Sequence, residues 1–191
     1  QLGSMADKVT RLEQLGALLA ANTMADATQV QQAAALCKCD LVTQMVGELP
    51  ELQGIMGRYY AINSGQDEAV ANAIAEHMLP RHADDELPQS VVGATLAIAD
   101  RIDTIVGIIG SGQLPTGDKD PFALRRQALA LIRIIMQQKI ALNLLQLIEQ
   151  AAAIYGEALT NEHVVSQVYS FILERLRHYY SAEDIPRAVF N

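Results

Sequence analysis

Apolar side chains recur every three or four positions through most of this chain, which is the spacing of one face of an α-helix. In the first such segment, Leu12, Leu15, Leu18 and Leu19 form an apolar stripe. Glycine and proline are gathered at a few sites instead of recurring every ten residues, which argues against an all-β fold. We therefore predict an all-α fold, a bundle of about eight helices. The segments with helical spacing are 7–22, 26–48, 50–63, 67–80, 89–109, 121–138, 140–155 and 161–180.

The segment 89–109 is apolar around most of its circumference. A helix of this kind is buried, so we expect it to be the central helix. Its only charged residues are Asp100, Arg101 and Asp103, and the two aspartates stand three apart on one face. Buried carboxylates are costly unless they are paired or bound to metal. The pattern therefore predicts either a structural ion pair or the remnant of a metal site, with Arg101 too close in sequence to face the aspartates.

Two glycines and two tyrosines are crowded into about three turns of the third predicted helix. An interior glycine costs about 1 kcal/mol relative to alanine, so Gly54 and Gly57 need another reason to be there. They stand three apart on one face, where the lack of side chains lets a backbone or a ligand approach. This favours a close helix–helix crossing, with Arg58, Tyr59 and Tyr60 directed elsewhere and available for polar contacts.

The loop 110–120 is long for a connection between packed helices and contains three glycines. Lys119, Arg125 and Arg126 lie close together at this loop and at the start of the next predicted helix, where backbone N–H groups favour anions. This cluster could bind phosphates. Alternatively, Asp118 and Asp120 neutralise the cluster, which is then a structural clamp.

The phosphate interpretation also involves the third predicted helix. Arg58 could join the basic cluster, and Tyr59 and Tyr60 could stack on unpaired bases. The whole chain carries 14 Lys and Arg against 22 Asp and Glu, a formal net charge of −8. It is therefore not a general nucleic-acid binder, and any contact with RNA must use a local basic patch.

Cys37 and Cys39 are the only cysteines, and they form a lone C-x-C without a second pair. Two cysteines are too few for a disulfide framework, and the motif lacks the further ligands of a zinc site. We therefore expect buried thiols in a reducing cytosol. Charged residues interrupt the apolar stretches, and no secretory signal is visible. We therefore expect a cytoplasmic location and no membrane association.

Three stretches, in this order, resemble the beta subunit of the bacterial tetrameric (two-subunit) glycyl-tRNA synthetase. They read KCDLVTQMVGELPELQGIMGRYYA, DEAVANAIAEHMLPR and ADRIDTIVGIIGSGQLPTGDKDPFALRRQALALIRI, within about residues 34–133. Subunits of that family are several times longer than this chain. The resemblance thus implies a fragment, its HD-like helical domain, at residues 5–182. We expect 1–4 to be an expression-tag remnant and 183–191 to be the truncated start of a following segment.

The resemblance also implies a function. Synthetases of this family join glycine to tRNA(Gly) using ATP and Mg²⁺. Amino-acid activation belongs to the alpha subunit, whereas the beta subunit mainly recognises and positions tRNA. We accordingly expect no catalytic residue and no cofactor in this fragment, and no aminoacylation by it alone. Its expected partners are the alpha subunit, the rest of the beta subunit and tRNA(Gly).

HD domains bind metal through a His, a His-Asp doublet and a later Asp. The resemblance places Asp100 at the later Asp and Asp40 at the Asp of the doublet, but Cys39 stands where the doublet has its His. His77 could point into the same cavity. Loss of an imidazole ligand predicts a degenerate site without metal. A domain that positions tRNA, a metal-dependent phosphohydrolase and a purely structural spacer therefore remain as three possible functions.

Overall fold

Nine α-helices and three short 3₁₀ turns form the regular structure of residues 2–117 and 119–182, the part that this computed structural model describes. This part contains no β-strand, and the predicted all-α fold is confirmed. The helices are α1 (Met5–Thr23), α2 (Ala27–Leu36), α3 (Gln44–Glu48), α4 (Ile55–Asn63), α5 (Glu68–Glu76), α6 (Val91–Gly110), α7 (Leu124–Gln137), α8 (Leu144–Tyr155) and α9 (Val164–Ala182). The 3₁₀ turns are Cys39–Val42, Pro50–Leu52 and Gly156–Ala158.

Helix α6 is the centre of the bundle, as its sequence predicts. It packs against α1, α2, α5, α7, α8 and α9. Most of its apolar side chains are buried, and Ile98, Ile102, Ile105 and Ile109 are fully so. Although α6 is the most apolar helix, neither it nor another helix of the described residues is long and apolar enough to cross a membrane. Of the charged residues of α6, Arg101 and Asp103 are buried and Asp100 is partly buried.

Short polar side chains set the starts of most helices. Ser4 caps α1 reciprocally with Asp7, and Asp26, Asp67, Ser90 and Asn143 accept hydrogen bonds from the first turns of α2, α5, α6 and α8. Residues at the chain start thus contact the domain, since Leu2 also packs against the core. The predicted segment 183–191 lies outside the described residues.

The segment 26–48 is not the single helix that its periodicity predicts. The chain leaves α2 at Leu36, makes a 3₁₀ turn and then forms the short helix α3. Lys38 and Asp40 are both buried in this break, and their side chains have different partners. Residues two apart do not share a face of a helix, so a continuous helix could not bury both.

The third predicted helix starts later than Pro50. Gly54 has φ of +80° and precedes α4, which begins at Ile55. This left-handed conformation favours glycine, so only Gly57 is an interior glycine of the helix. The predicted close crossing is present, because α4 packs directly on α5.

Candidate functional site

A network of ion pairs surrounds the two aspartates of α6. Lys8 of α1 places its Nζ 2.8 Å from Asp100 Oδ1 and 2.9 Å from Asp103 Oδ2. Arg11, one turn further along α1, donates from Nε to Asp103 Oδ1 at 2.6 Å and stacks over the ring of Tyr155 at 4.1 Å. The aspartates therefore do form ion pairs, and their cations come from a different helix.

The other side of Asp100 meets Lys38 and His77. Lys38 Nζ lies 2.8 Å from Asp100 Oδ2 and 2.9 Å from His77 Nε2. The distance from His77 Nε2 to Asp100 Oδ2 is 3.9 Å. Burial, and then the adjacent ammonium group of Lys38, lower the pKa of His77 to about 3. The imidazole is consequently neutral, and we assign Nε2 as the acceptor from Lys38 and Nδ1–H as the donor to the carbonyl of Ile74.

The ion pairs also determine the charge states of Asp100 and Lys8. Burial alone raises the pKa of Asp100, but the ammonium groups of Lys38 and Lys8 lower it more, so it lies well below its usual range. Burial likewise lowers the pKa of Lys8, and the carboxylates of Asp100 and Asp103 more than compensate and raise it. The network therefore keeps both signs of charge inside the protein at neutral pH.

Of the four residues assigned to a degenerate HD site, the structure brings together His77 and Asp100. Asp40 is buried but bonded to the start of α4, and Cys39 is exposed, with its Sγ 3.7 Å from the carbonyl oxygen of Ala35. The expectation of two buried thiols is therefore wrong for Cys39, because it opens a 3₁₀ turn on the surface. Cys37 is buried, which raises the pKa of its thiol to about 12.

These residues do not fit a metal ion. The Lys38 ammonium already lies between the imidazole and the carboxylate that would be the ligands. Within residues 2–117 and 119–182, no group of three or more His, Cys, Asp and Glu side chains is placed to hold a metal. The sequence analysis missed Lys38, Lys8 and Arg11. The signal for the latter two was their spacing of three on one face of α1.

Asp40 connects the break after α2 to the start of α4. Its Oδ2 accepts hydrogen bonds from the backbone N–H groups of Gly54 at 2.6 Å and Gly57 at 3.1 Å. A Cβ on Gly57 would stand 2.7 Å from Cγ2 of Ile74 and 3.0 Å from the Asp40 carboxylate. The glycines thus allow close approach both by α5 and by a carboxylate of the same chain.

Arg101 closes the C-terminal end of α5. Its guanidinium donates to the carbonyl oxygens of His77 at 3.0 Å, Leu79 at 2.7 Å and Pro80 at 3.1 Å. Burial lowers its pKa to about 10. Arg101 has no ion pair with Asp100 or Asp103 among the described residues, and instead satisfies carbonyl groups of the segment that follows α5.

An open cleft of about 290 Å³ lies beside this cluster, between α5, α6 and α7. Its lining is largely polar. Two residues of the network, the buried His77 and the partly buried Asp100, form part of it, and Arg81, Arg101 and Arg126 bring three guanidinium groups to the same cleft. Arg81 is paired with Asp85 at 2.9 Å. The cleft can thus present positive charge to a ligand in an otherwise acidic protein.

The residues predicted to hold phosphates and bases lie in two separate places. Helix α4 carries Arg58, Tyr59 and Tyr60 and packs on α5, whereas α7 packs on α6 and α9. Arg58 donates to Asn72 at 2.6 Å, and its guanidinium lies 5.8 Å from the centre of the Tyr59 ring. Both tyrosines are exposed.

At the start of α7, the predicted anion-binding N–H groups are occupied. The carboxylate of Asp120 accepts from Leu124 N at 2.8 Å and from Arg125 N at 2.9 Å. Arg125 donates to the carbonyl oxygen of Gly117 at 2.6 Å, whereas Asp118 lies outside the described residues. Lys119 and Arg126 are exposed, and their side chains have no hydrogen bond or ion pair with the described residues.

Comparison with known proteins gives the same family as the three sequence stretches. The family described as "Glycyl-tRNA synthetase beta subunit" matches residues 1–191. A glycine–tRNA ligase beta subunit of Coxiella burnetii (strain Dugway 5J108-111) is 48% identical over 190 residues, covering 100% of this chain and 28% of that protein. The beta subunits of Aeromonas hydrophila and Haemophilus influenzae are each 47% identical over 185 residues, 97% of this chain and 27% of those proteins. The chain therefore spans less than a third of the length of these relatives.

Proposed function

Since the chain belongs to the glycyl-tRNA synthetase beta subunit family, we propose that it forms a helical part of such a subunit and helps to position tRNA(Gly) for ATP-dependent glycylation. In this proposal the alpha subunit activates glycine, and ATP and Mg²⁺ are used by the whole enzyme. The chain described here is not catalytic alone. The enzyme acts in the cytoplasm, and the HD-like character of the domain is part of the same proposal.

The exposed side chain of Arg126 is the main support for the proposal. Its side chain is exposed at the cleft that Arg81 and Arg101 also line, and it has no partner among the described residues. An unpaired guanidinium keeps its planar set of donors available for the oxygens of a phosphate. This supports a contact between Arg126 and an RNA backbone, since no ion pair with the described residues would have to be broken first.

The sequence around Arg126 supports the same proposal. Residues 121–148 contain Arg125, Arg126, Arg133 and Lys139 but no Asp or Glu. In a chain with a formal net charge of −8, this is the local basic patch that RNA contact requires. Lys119, separated from this segment by Asp120, is exposed as well.

The test uses the intact two-subunit enzyme with Lys119 and Arg126 both replaced by Ala. We expect tRNA binding to weaken roughly tenfold for each lost charged contact. The salt dependence of log affinity should fall by about one unit per contact. Glycine activation without tRNA should be unchanged. Arg177→Ala is the matched control, because Arg177 is likewise exposed but lies on α9.

An unchanged affinity with an unchanged salt dependence would contradict the proposal. An equal loss in the Arg177→Ala control would do so as well, because it would indicate a general effect of charge. The phosphohydrolase alternative is disfavoured by the Lys38 ammonium that lies between His77 and Asp100. The structural alternative is supported by exposed apolar side chains on α4.

A further inference from the structure

Helix α4 has an apolar stripe on its solvent side. Ile55, Tyr59 and Ile62 stand at positions i, i+4 and i+7, so they lie on one face of the helix, and all three are exposed. The opposite side carries Gly57 and Ala61, which are buried. A surface helix normally turns its apolar stripe toward the core. Here the core side is made of small residues, and large side chains point outward.

The neighbouring segments extend this apolar surface. The 3₁₀ turn Cys39–Val42 packs against α3 and α4, and α3 packs against the next 3₁₀ turn. Val42, Met45 and Leu49 in these segments are exposed as well. We call Val42, Met45, Leu49, Ile55, Tyr59 and Ile62 the outer face. Exposed large hydrophobic side chains of the described residues are concentrated here, in a segment of about two dozen residues, which marks an interaction site.

A groove of about 200 Å³ adjoins the outer face. It is mainly apolar and is lined by Leu36, Tyr60, Ala61 and Ile74, among others. Tyr60, directly after Tyr59, connects the groove to the outer face. A partner could therefore place a side chain in the groove while covering the helix.

The charges around the outer face favour a protein partner over RNA. Between residues 39 and 80 the only Lys or Arg is Arg58, which is bonded to Asn72. The same segment carries four exposed acidic residues, namely Glu48, Glu51, Asp67 and Glu68. RNA binding needs positive surface, which this segment lacks. Its complement is an apolar protein surface with Lys or Arg at the margin.

The length of the relatives indicates which polypeptide could supply this complementary surface. Their polypeptides extend well beyond the matched region, which is 28% of the Coxiella burnetii protein. We propose that the outer face is the docking site for another part of the same beta-subunit polypeptide, which covers it with an apolar, basic-edged surface. This inference is independent of the proposed tRNA contact, because it uses a different side of the molecule.

The first experiment identifies the occupant in the intact two-subunit enzyme. Tyr59 is replaced by the photo-crosslinking residue p-benzoylphenylalanine, with Met24 replaced in the same way as the control. Met24 is 91% exposed and lies after α1. Isotopically light and heavy beta subunits are mixed before assembly. We expect crosslinks from position 59 to a peptide of the same subunit outside this region, with both ends light or both ends heavy.

Other crosslinking results would overturn the inference. Light–heavy pairs would indicate a second beta subunit as the occupant, and crosslinks to the alpha subunit or to tRNA would indicate those partners. A yield at position 59 no greater than at position 24 would mean that nothing covers the outer face.

The second experiment measures the contribution of docking to the full-length subunit. Ile62→Glu is compared with Leu18→Glu, since the two side chains are 44% and 42% exposed. We expect Ile62→Glu to lower the Tm by several degrees and to speed proteolysis between this domain and the rest, because a charge would be buried on docking. Leu18→Glu should change neither. Equal behaviour of the two variants would contradict docking at this face, whatever the result for tRNA binding.

Discussion

Single side chains join distant segments of this protein, and Asp40 is the clearest example. Its carboxylate holds the start of α4 through the N–H groups of Gly54 and Gly57. A helix start carries partial positive charge and N–H groups without partners. Asp40 therefore does for α4 what a local capping residue does for other helices, from fourteen residues earlier in the chain.

Replacing Asp40 by Ala should lower the free energy of unfolding by about 2–3 kcal/mol, because it removes a charged acceptor from two buried donors. Asp40→Asn retains one acceptor oxygen and should lose about half as much. Urea unfolding measures both. A variant Asp40→Ala as stable as the parent would mean that water satisfies the two N–H groups.

His77 should make the protein sensitive to mild acid. Its pKa is lowered to about 3 in the folded state by burial and by Lys38, against about 6.5 when unfolded. Between these values the unfolded chain binds the extra proton, so stability is fully present above pH 6.5 and falls as the pH decreases. The expected slope from this residue is about 1.4 kcal/mol per pH unit.

Unfolding free energies measured from pH 6.5 to pH 4 check this slope. His77→Gln should reduce it more than His82→Gln does, because His77 is fully buried whereas the side chain of His82 is exposed in a loop. If both variants retained the parental slope, the acid sensitivity would have to come from the carboxylates.

The sequence analysis expected that His77 could share a cavity with Asp100, and it gave an ion pair as one of two alternatives for Asp100 and Asp103. Lys38 could not be predicted in the same way. Its side chain turns inward only because α2 ends at Leu36, and a periodic pattern that continues past this point gives no sign of the break.

At the scale of secondary-structure elements, glycines differ in what surrounds them. In α4, a Cβ at Gly57 would meet Ile74 of α5 and the Asp40 carboxylate. In α3, a Cβ at Gly47 would meet nothing within 4 Å. The two positions therefore separate helix propensity from close packing.

Gly57→Ala should destabilise the protein by about 1–3 kcal/mol, because α4 and α5 must move apart. Gly47→Ala should stabilise it by about 0.5–1 kcal/mol through helix propensity alone. Thermal unfolding of both variants measures the difference. A stabilising effect of Gly57→Ala would show that the α4–α5 crossing can relax without loss.

Three helices with local capping residues were well predicted from sequence. The starts of α2, α5 and α6 lie within two residues of the expected positions, because Asp26, Asp67 and Ser90 mark them locally. The start of α4 was missed because its cap, Asp40, is remote in sequence. Helix α7 begins at Leu124 instead of Pro121. Its first N–H group donates a hydrogen bond to the Asp120 carboxylate, which lies four residues earlier in the chain.

At the scale of the whole molecule, we expect α6 to make the bundle one cooperative unit. It contacts helices from the first to the last of the described chain. Loss of packing at α6 should therefore be felt equally by α1 and α9, which lie far apart in sequence.

Ile105→Ala should lower the free energy of unfolding by about 2–5 kcal/mol, because Ile105 is fully buried. The slowest-exchanging amides of α1, α6 and α9 should then all exchange faster by the same factor, a hundredfold for about 2.7 kcal/mol. Hydrogen exchange followed by mass spectrometry measures this factor. Acceleration confined to α6 would contradict a single cooperative unit.

The position of Lys38 has a consequence for how this protein responds to chelators and to a shortage of metal ions. The cation that balances Asp100 is attached to the polypeptide, so it arrives with translation and needs no loading step. A chelator has nothing to extract from this position. The cluster should therefore keep its counter-charge during metal starvation, when proteins that depend on an exchangeable ion lose theirs.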